Sequence, residues 1–285
     1  MDIMIQRICV CGAGTMGGGI AQAAAMAGFH TILYDLNKLV LADARSRISK
    51  SLIKLAEKKK IHDADVEKIQ QRILFTHDLH ECLADVIIEA IIEKPEAKIA
   101  LMNQLAEINH GETIFASNTS SLALTAIAEK VLHPHRVIGM HFFNPAPLMK
   151  LVEIVKTTYS TDTVIGTVME LAREMGKEPV LCTDSPGFIV NRVARPFYIE
   201  SLRVAEEGGI SFAAIDELLE SAGFRMGPFR LMDLIGNDVN YAVSVSVFNQ
   251  LQEPARLKPS PIQQDLVNQG KLGRKTGQGY YTYGS

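Results

Sequence analysis

The chain has 285 residues, 47% of them hydrophobic and 21% charged, the balance of a globular protein long enough to form two domains. Its 29 lysines and arginines against 32 aspartates and glutamates give a net charge of −3, so no global electrostatic case exists for a nucleic-acid partner, and no apolar run approaches the roughly 18 residues of a membrane span. Cys9, Cys11, Cys82 and Cys182 show no paired zinc spacing and no signal-peptide pattern precedes the first strand, so reduced thiols, a cytoplasmic setting and no metal are expected.

Gln6 to Cys11 reads as a short buried strand that runs directly into Gly12-Ala13-Gly14-Thr15-Met16-Gly17. Ile20 to Ala27 then has high helical propensity, Gly28 is placed to end the helix, and a second strand from Thr31 to Tyr34 finishes at Asp35. Each part has a physical task in holding a dinucleotide. Gly12 makes the tight turn, Gly14 lets the backbone approach a pyrophosphate, and Gly17 lets helix and strand pack closely. The helix N-terminus offers N–H groups and partial positive charge to the phosphates. Asp35 is spaced to accept hydrogen bonds from the ribose hydroxyls and would repel a 2′-phosphate, so NAD is expected over NADP.

From Asn37 to Lys60 eight basic residues stand against Asp43 and Glu57 alone. Ile48, Leu52 and Leu55 are spaced for the apolar face of a helix, while Arg47, Lys50, Lys54 and Lys58 fall along another face, which predicts a helical arm near 41–60. Strands at Val86 to Ile88 and Thr113 to Ala116 flank a helix from Lys98 to Ile108, the alternation of an α/β domain with a mainly parallel sheet. Ser117-Asn118-Thr119-Ser120-Ser121 emerges at the carboxyl end of its strand, the edge where open α/β sheets bind ligands.

His141 ends the apolar run Arg136 to Met140, and Glu153 interrupts the apolar run Leu151 to Val155; Asn144-Pro145-Ala146-Pro147 supplies a turn between them. Folded back, the two runs bring an imidazole to a carboxylate, the arrangement of a general base. The alternative is a core histidine and an edge-strand glutamate facing water. His133 and His135 flank Pro134 without an acidic or cysteine neighbour and are not read as metal ligands. After Asp184-Ser185-Pro186-Gly187 the strands stop, which divides the chain into 1–184, a Rossmann-like domain, and 185–285, an all-helical domain. Within the latter, a helix bears Asn191, Ser211 caps another, and Leu231 to Leu251 reads as one long helix.

Essentially the whole chain resembles the short, single-function L-3-hydroxyacyl-CoA dehydrogenases, especially the bacterial 3-hydroxybutyryl-CoA dehydrogenases. The resemblance rests on the glycine motif, on Ser117 to Ser121, on His141-Phe142-Phe143-Asn144-Pro145, on Asp184 to Arg192, and on the tail Gly273-Arg274-Lys275-Thr276-Gly277-Gln278-Gly279-Tyr280-Tyr281. It implies reversible NAD-dependent oxidation of a 3-hydroxyacyl-CoA and a helical domain that commonly forms a homodimer or higher homo-oligomer. It also implies that His141, Glu153, Ser120 and Asn191 form the active site, and that Glu93, Lys98, Ser120 and Asn144 contact the cofactor beside the glycines and Asp35. Ser120 and Asn191 would touch the acyl-CoA substrate. Carrier contacts fall in the basic arm, where Ser51, Lys54 and Lys58 are the expected contributors; the bland alternative is a solvated helix face. The favoured substrate is 3-hydroxybutyryl-CoA with acetoacetyl-CoA as product. The alternatives are a functionalised acyl chain such as 3-hydroxyadipyl-CoA, or a non-catalytic dinucleotide-binding protein of the same fold. A dehydrogenase with a lysine base on its C-terminal domain fits the His141-to-Pro145 segment poorly.

Overall fold

The computed structural model describes residues 5–284, which divide into two compact units, 5–184 and 185–284. The first is built in the order β1 (Arg7–Cys11), α1 (Thr15–Met26), β2 (His30–Tyr34), α2 (Lys38–Glu57), α3 (Asp63–Gln71), β3 (Ile73–Thr76), β4 (Val86–Glu89), α4 (Pro95–Ile108), β5 (Ile114–Ser117), α5 (Leu124–Ala128), β6 (Val137–Phe142), β7 (Leu151–Lys156), α6 (Asp162–Glu174) and β8 (Glu178–Thr183). Its strands form one sheet in the order β3-β2-β1-β4-β5-β6-β7-β8. All neighbours are parallel except β6 and β7, which are joined by a short turn and run antiparallel. Strand order reverses at β1, so a crevice opens beyond the carboxyl ends of β1 and β4, the switch point where such sheets take ligands.

Two apolar layers hold this sheet. Ile8 and Val10 of β1 enter one cluster and Cys9 and Cys11 the other, because side chains alternate faces along a strand. The cysteines are therefore buried core residues in reduced form. Helix α1 is alanine-rich and buries Ile20, Ala21, Ala23, Ala24 and Ala25 against the first layer. Each larger side chain removed from water in these layers contributes about 1.5–3 kcal/mol.

The basic arm differs from the expected 41–60. Helix α2 starts at Lys38, where the side chain of Asn37 accepts a hydrogen bond from Leu39 N, and ends at Glu57. Lys58 is its C-cap and Lys59 adopts a positive φ of 54°, so the three terminal lysines leave the helix. Leu41, Ala44, Ile48, Leu52 and Leu55 form its buried face.

The second unit contains α7 (Val190–Glu207), α8 (Phe212–Ser221), α9 (Pro228–Ile235), α10 (Asn237–Gln250) and α11 (Pro261–Asn268). Ser211 does cap α8, accepting from Ala214 N at 3.2 Å. The single helix expected from Leu231 to Leu251 is instead two. Gly236, at φ 104°, closes α9 and opens α10; a Cβ there would lie 2.9 Å from Asp238 Oδ1 and 3.0 Å from Lys275 Nζ. Apolar periodicity continues across the break, which is why it is invisible to pattern alone. Among the described residues no helix is long and apolar enough to cross a membrane.

Candidate active site

The glycine loop joins β1 to α1. Gly12 has φ 104°, donates its N–H to Tyr34 O at 2.8 Å, and has Ala90 O 2.5 Å from where a Cβ would stand. A Cβ on Gly17 would overlap Gly12 O. Packing within the protein thus demands both glycines. Gly14 is different, for a Cβ there would meet no atom within 4 Å, so nothing in the chain itself requires glycine. The space it leaves lies at the N-terminus of α1, where no side chain caps the helix. Open space beside uncapped N–H groups is what a pyrophosphate needs. At the end of β2, Asp35 accepts Ala13 N at 2.8 Å through Oδ2 and Asn37 N at 2.9 Å through Oδ1, which fixes its carboxylate next to the loop. These residues fit a dinucleotide. Arg47 of the basic arm reaches back to Ala13 O at 2.9 Å, so this member of the stripe is tied to the glycine loop.

A buried ionic cluster organises the next two strand ends. Glu89 ends β4 with no exposed surface, and its carboxylate accepts Lys98 Nζ at 2.6 Å, Ser117 Oγ at 2.6 Å and Ile91 N at 2.7 Å. Lys98, 1% exposed on α4, also pairs with Glu93 at 3.0 Å. Glu93 Oε1 in turn accepts from Thr119 Oγ1, from Ser121 Oγ at 3.0 Å and from Ser120 N at 3.3 Å. Burial pushes the Glu93 carboxyl up, but Lys98 and the hydroxyl donors outweigh it and hold it below the ordinary value. Glu93, Lys98 and Ser120 are thus linked to one another, and Lys98 ties them to Glu89, a residue that sequence reasoning missed. Its signal is a carboxylate closing the apolar run Val86 to Ile88, whereas Glu153 interrupts its run from within.

His141 and Glu153 are direct partners across the antiparallel β6–β7 pair, in the register His141↔Glu153. Opposed residues in such a pair project from the same face, so the side chains meet. His141 Nδ1 lies 2.6 Å from Glu153 Oε2, with the residues 6% and 1% exposed. The solvent-facing alternative for Glu153 is thereby excluded. Phe143 packs its ring 4.6 Å from the imidazole. The loop bearing Ser120 is tied to this strand end, because Asn118 Oδ1 accepts Phe142 N at 2.9 Å. Asn144 follows on the exposed turn, and its peptide bond to Pro145 is cis.

The remaining candidates belong to α7 and to the basic arm. Asn191 is in the first turn of α7, half-buried, with its carbonyl accepting Arg195 Nε at 2.9 Å. Lys54 on α2 and Lys58 at its C-cap are exposed, whereas the Ser51 hydroxyl accepts Gln22 Nε2 at 3.0 Å and so helps to seat α2 on α1.

Two family models match the chain: 3-hydroxyacyl-CoA dehydrogenase, NAD binding domain, over residues 7–185, and 3-hydroxyacyl-CoA dehydrogenase, C-terminal domain, over residues 187–283. The chain is 45% identical over 285 residues to the 3-hydroxyadipyl-CoA dehydrogenase of Escherichia coli, which covers 99% of this chain and 60% of that protein. It thus spans only about three fifths of that relative. It is 42% identical over 276 residues to the probable 3-hydroxybutyryl-CoA dehydrogenase of Deinococcus radiodurans, covering 96% of this chain and 99% of the other. The solved structure of (S)-3-hydroxybutyryl-CoA dehydrogenase from Ralstonia eutropha superposes with a TM-score of 0.94 at 35% identity, covering 99% of this chain and 100% of that one.

Proposed function

The chain belongs to the 3-hydroxyacyl-CoA dehydrogenase family of NAD-dependent oxidoreductases, and from that premise we propose that it interconverts an L-3-hydroxyacyl-CoA and the 3-oxoacyl-CoA, with the four-carbon pair preferred. Supporting this reading above all is the buried His141–Glu153 pair at 2.6 Å. With Nδ1–H donating to the carboxylate, Nε2 is the nitrogen that accepts a proton. NAD, when bound, supplies the hydride acceptor. In oxidation, neutral His141 removes the 3-hydroxyl proton while hydride leaves C3, and the 3-oxo group forms from the electron pair left on oxygen. Glu153 keeps the ring oriented and stabilises the imidazolium; in reduction the ring returns its proton. Ser120 hydrogen-bonds the reacting oxygen, and Asn191 holds the substrate near its thioester. Gly14 and the N-terminus of α1 take the pyrophosphate in a loop shaped by Gly12 and Gly17, Asp35 takes the ribose, and Glu93, Lys98, Ser120 and Asn144 also contact the cofactor. Lys54 and Lys58 meet the carrier phosphates, with Ser51 still able to donate its O–H.

The test is direct. Purified protein mixed with NADH and acetoacetyl-CoA should consume the NADH. A protein that binds NADH yet turns over no acyl-CoA in a chain-length series is a non-catalytic member of the fold. A second reading, oxidation of a 3-hydroxyacyl-CoA with a terminal carboxylate, is favoured by the name of the Escherichia coli relative. Adding 3-oxoadipyl-CoA to the series separates the two, since the preferred substrate has the larger kcat/KM.

A further inference from the structure

Lys177 follows α6 and is not among the residues given a role above. It is 7% exposed, and its Nζ donates to Ala146 O at 2.6 Å and to Met149 O at 3.0 Å. Both carbonyls lie in the turn that joins the strand of His141 to the strand of Glu153, and that turn also carries Asn144. Inside the turn, Leu148 N and Met149 N both donate to Pro145 O, at 2.9 and 3.0 Å. Among the ion pairs of the described residues none involves Lys177. Burial alone pushes its ammonium below the ordinary lysine value. A cation held out of water without an anion is costly, and here carbonyl oxygens are its only hydrogen-bond partners among the described residues.

The other side of the same turn lies on α1. A Cβ added to Gly19 would stand 3.3 Å from Ala146 Cβ and 3.3 Å from Pro147 Cδ, so turn and helix are nearly in contact two residues beyond the glycine motif. Lys177 itself is anchored in the frame. Its N–H donates to Ala172 O at 2.9 Å, and Glu178 N, one residue on, donates to Lys150 O at 2.8 Å to start the β7–β8 ladder. A charged donor at the α6–β8 junction thus grips a turn that lies against the phosphate-facing helix and bears a proposed cofactor contact.

We propose that Lys177 is a positioning residue for dinucleotide binding, its ammonium fixing the 143–150 turn so that Asn144 and the α1-facing edge hold the geometry the bound cofactor needs. The proposal rests on the cofactor role assigned to Asn144 above. Lys177→Met keeps the length and apolar stem of the side chain and removes the ammonium with both of its hydrogen bonds. In a fluorescence titration without substrate, its Kd for NADH should rise roughly tenfold, about what loss of one charge-assisted hydrogen bond yields. The KM for acetoacetyl-CoA should stay within about twofold, because the loss acts on the cofactor side. Lys177→Arg, which keeps a cationic donor, should recover part of the affinity. In an Asn144→Ala background, Lys177→Met should add less than about twofold, the mark of two residues acting through one contact.

Wild-type NADH affinity in Lys177→Met, full additivity with Asn144→Ala, or an Asn144→Ala variant that binds NADH normally would each overturn the assignment. If Lys177→Met does not fold, Lys177→Arg decides: its effect on the NADH Kd must vanish in the Asn144→Ala background, and persistence there overturns the proposal. Binding is measured without acyl-CoA, so a wild-type protein that binds NADH but turns over no acyl-CoA defeats the proposed reaction and leaves this test intact.

Discussion

Two buried groups at the carboxyl edge of the sheet pair a charge with an opposite charge or with imidazole: Lys98 lies between Glu89 at 2.6 Å and Glu93 at 3.0 Å, and Glu153 faces His141 at 2.6 Å. The helical unit satisfies its buried acids mainly with backbone and phenol donors. Asp216 accepts Phe229 N, Arg230 N and Tyr281 Oη at 2.9, 3.0 and 2.7 Å, with Arg230 Nε farther off at 3.9 Å. Asp233 accepts Tyr280 N, Tyr281 N, Tyr283 Oη and Asn237 Nδ2 at 3.0, 3.1, 2.9 and 2.8 Å. Its buried cation Arg195 is bound to Asn191 O, Asn240 O and Ser244 Oγ, and burial brings the guanidinium down to about 10. Carboxylates that satisfy backbone donors and phenols act as clamps, closing the C-terminal tail onto α9. Burial and Asp233 also drive the Tyr283 phenol up to about 12, so it stays a hydrogen-bond donor at any ordinary pH. A carboxylate beside an imidazole can instead support a change of charge, which is what proton transfer requires.

That contrast can be broken at either end. His141→Ala should lose about 10² to 10⁴ in turnover while the protein stays folded and binds NADH, and Glu153→Gln should lose activity because the imidazolium loses its counter-charge. Steady-state kinetics on folded variants measures this; near-normal turnover in either would make the sheet-edge pair a structural clamp as well. Asp233→Ala should leave several donors without acceptors and destabilise the helical unit by about 3 kcal/mol, seen in denaturant unfolding and in faster amide exchange near Tyr280 and Tyr281. Unchanged stability would remove the clamp from the comparison.

Two smaller effects sharpen the ligand side. Asp35→Ala should narrow the preference for NADH over NADPH by roughly tenfold, through weaker ribose bonding and lost repulsion of the 2′-phosphate. A wild-type preference for NADPH would take this role from Asp35. Replacing Lys54 and Lys58 with alanine should raise the KM for acetoacetyl-CoA a few-fold and flatten its salt dependence, since exposed charges are screened within about 10 Å at 0.1 M salt. Unaltered KM across a salt series would leave the stripe a solvated face.

Features set by residues close in the chain were legible from the sequence. The glycine loop with Asp35 and the His141–Glu153 hairpin, whose partners are 12 residues apart, follow from period, turn chemistry and the cost of leaving a buried carboxylate alone. Helix α2 was legible as an amphipathic stripe, but its end at Glu57 was not, because a run of lysines carries no stop signal. Only the tertiary structure decided what long-range contacts create. Ser117 reaches Glu89 across 28 positions, Lys177 reaches Ala146 across 31, and the tail at Tyr281 reaches Asp233 across 48. The break at Gly236 belongs with these, since Asn237 N there turns to Leu272 O. The physical reason is common to all four. A polar side chain or backbone group can be buried wherever some partner arrives to satisfy it, and which partner arrives is determined by how distant segments pack rather than by the residues beside it.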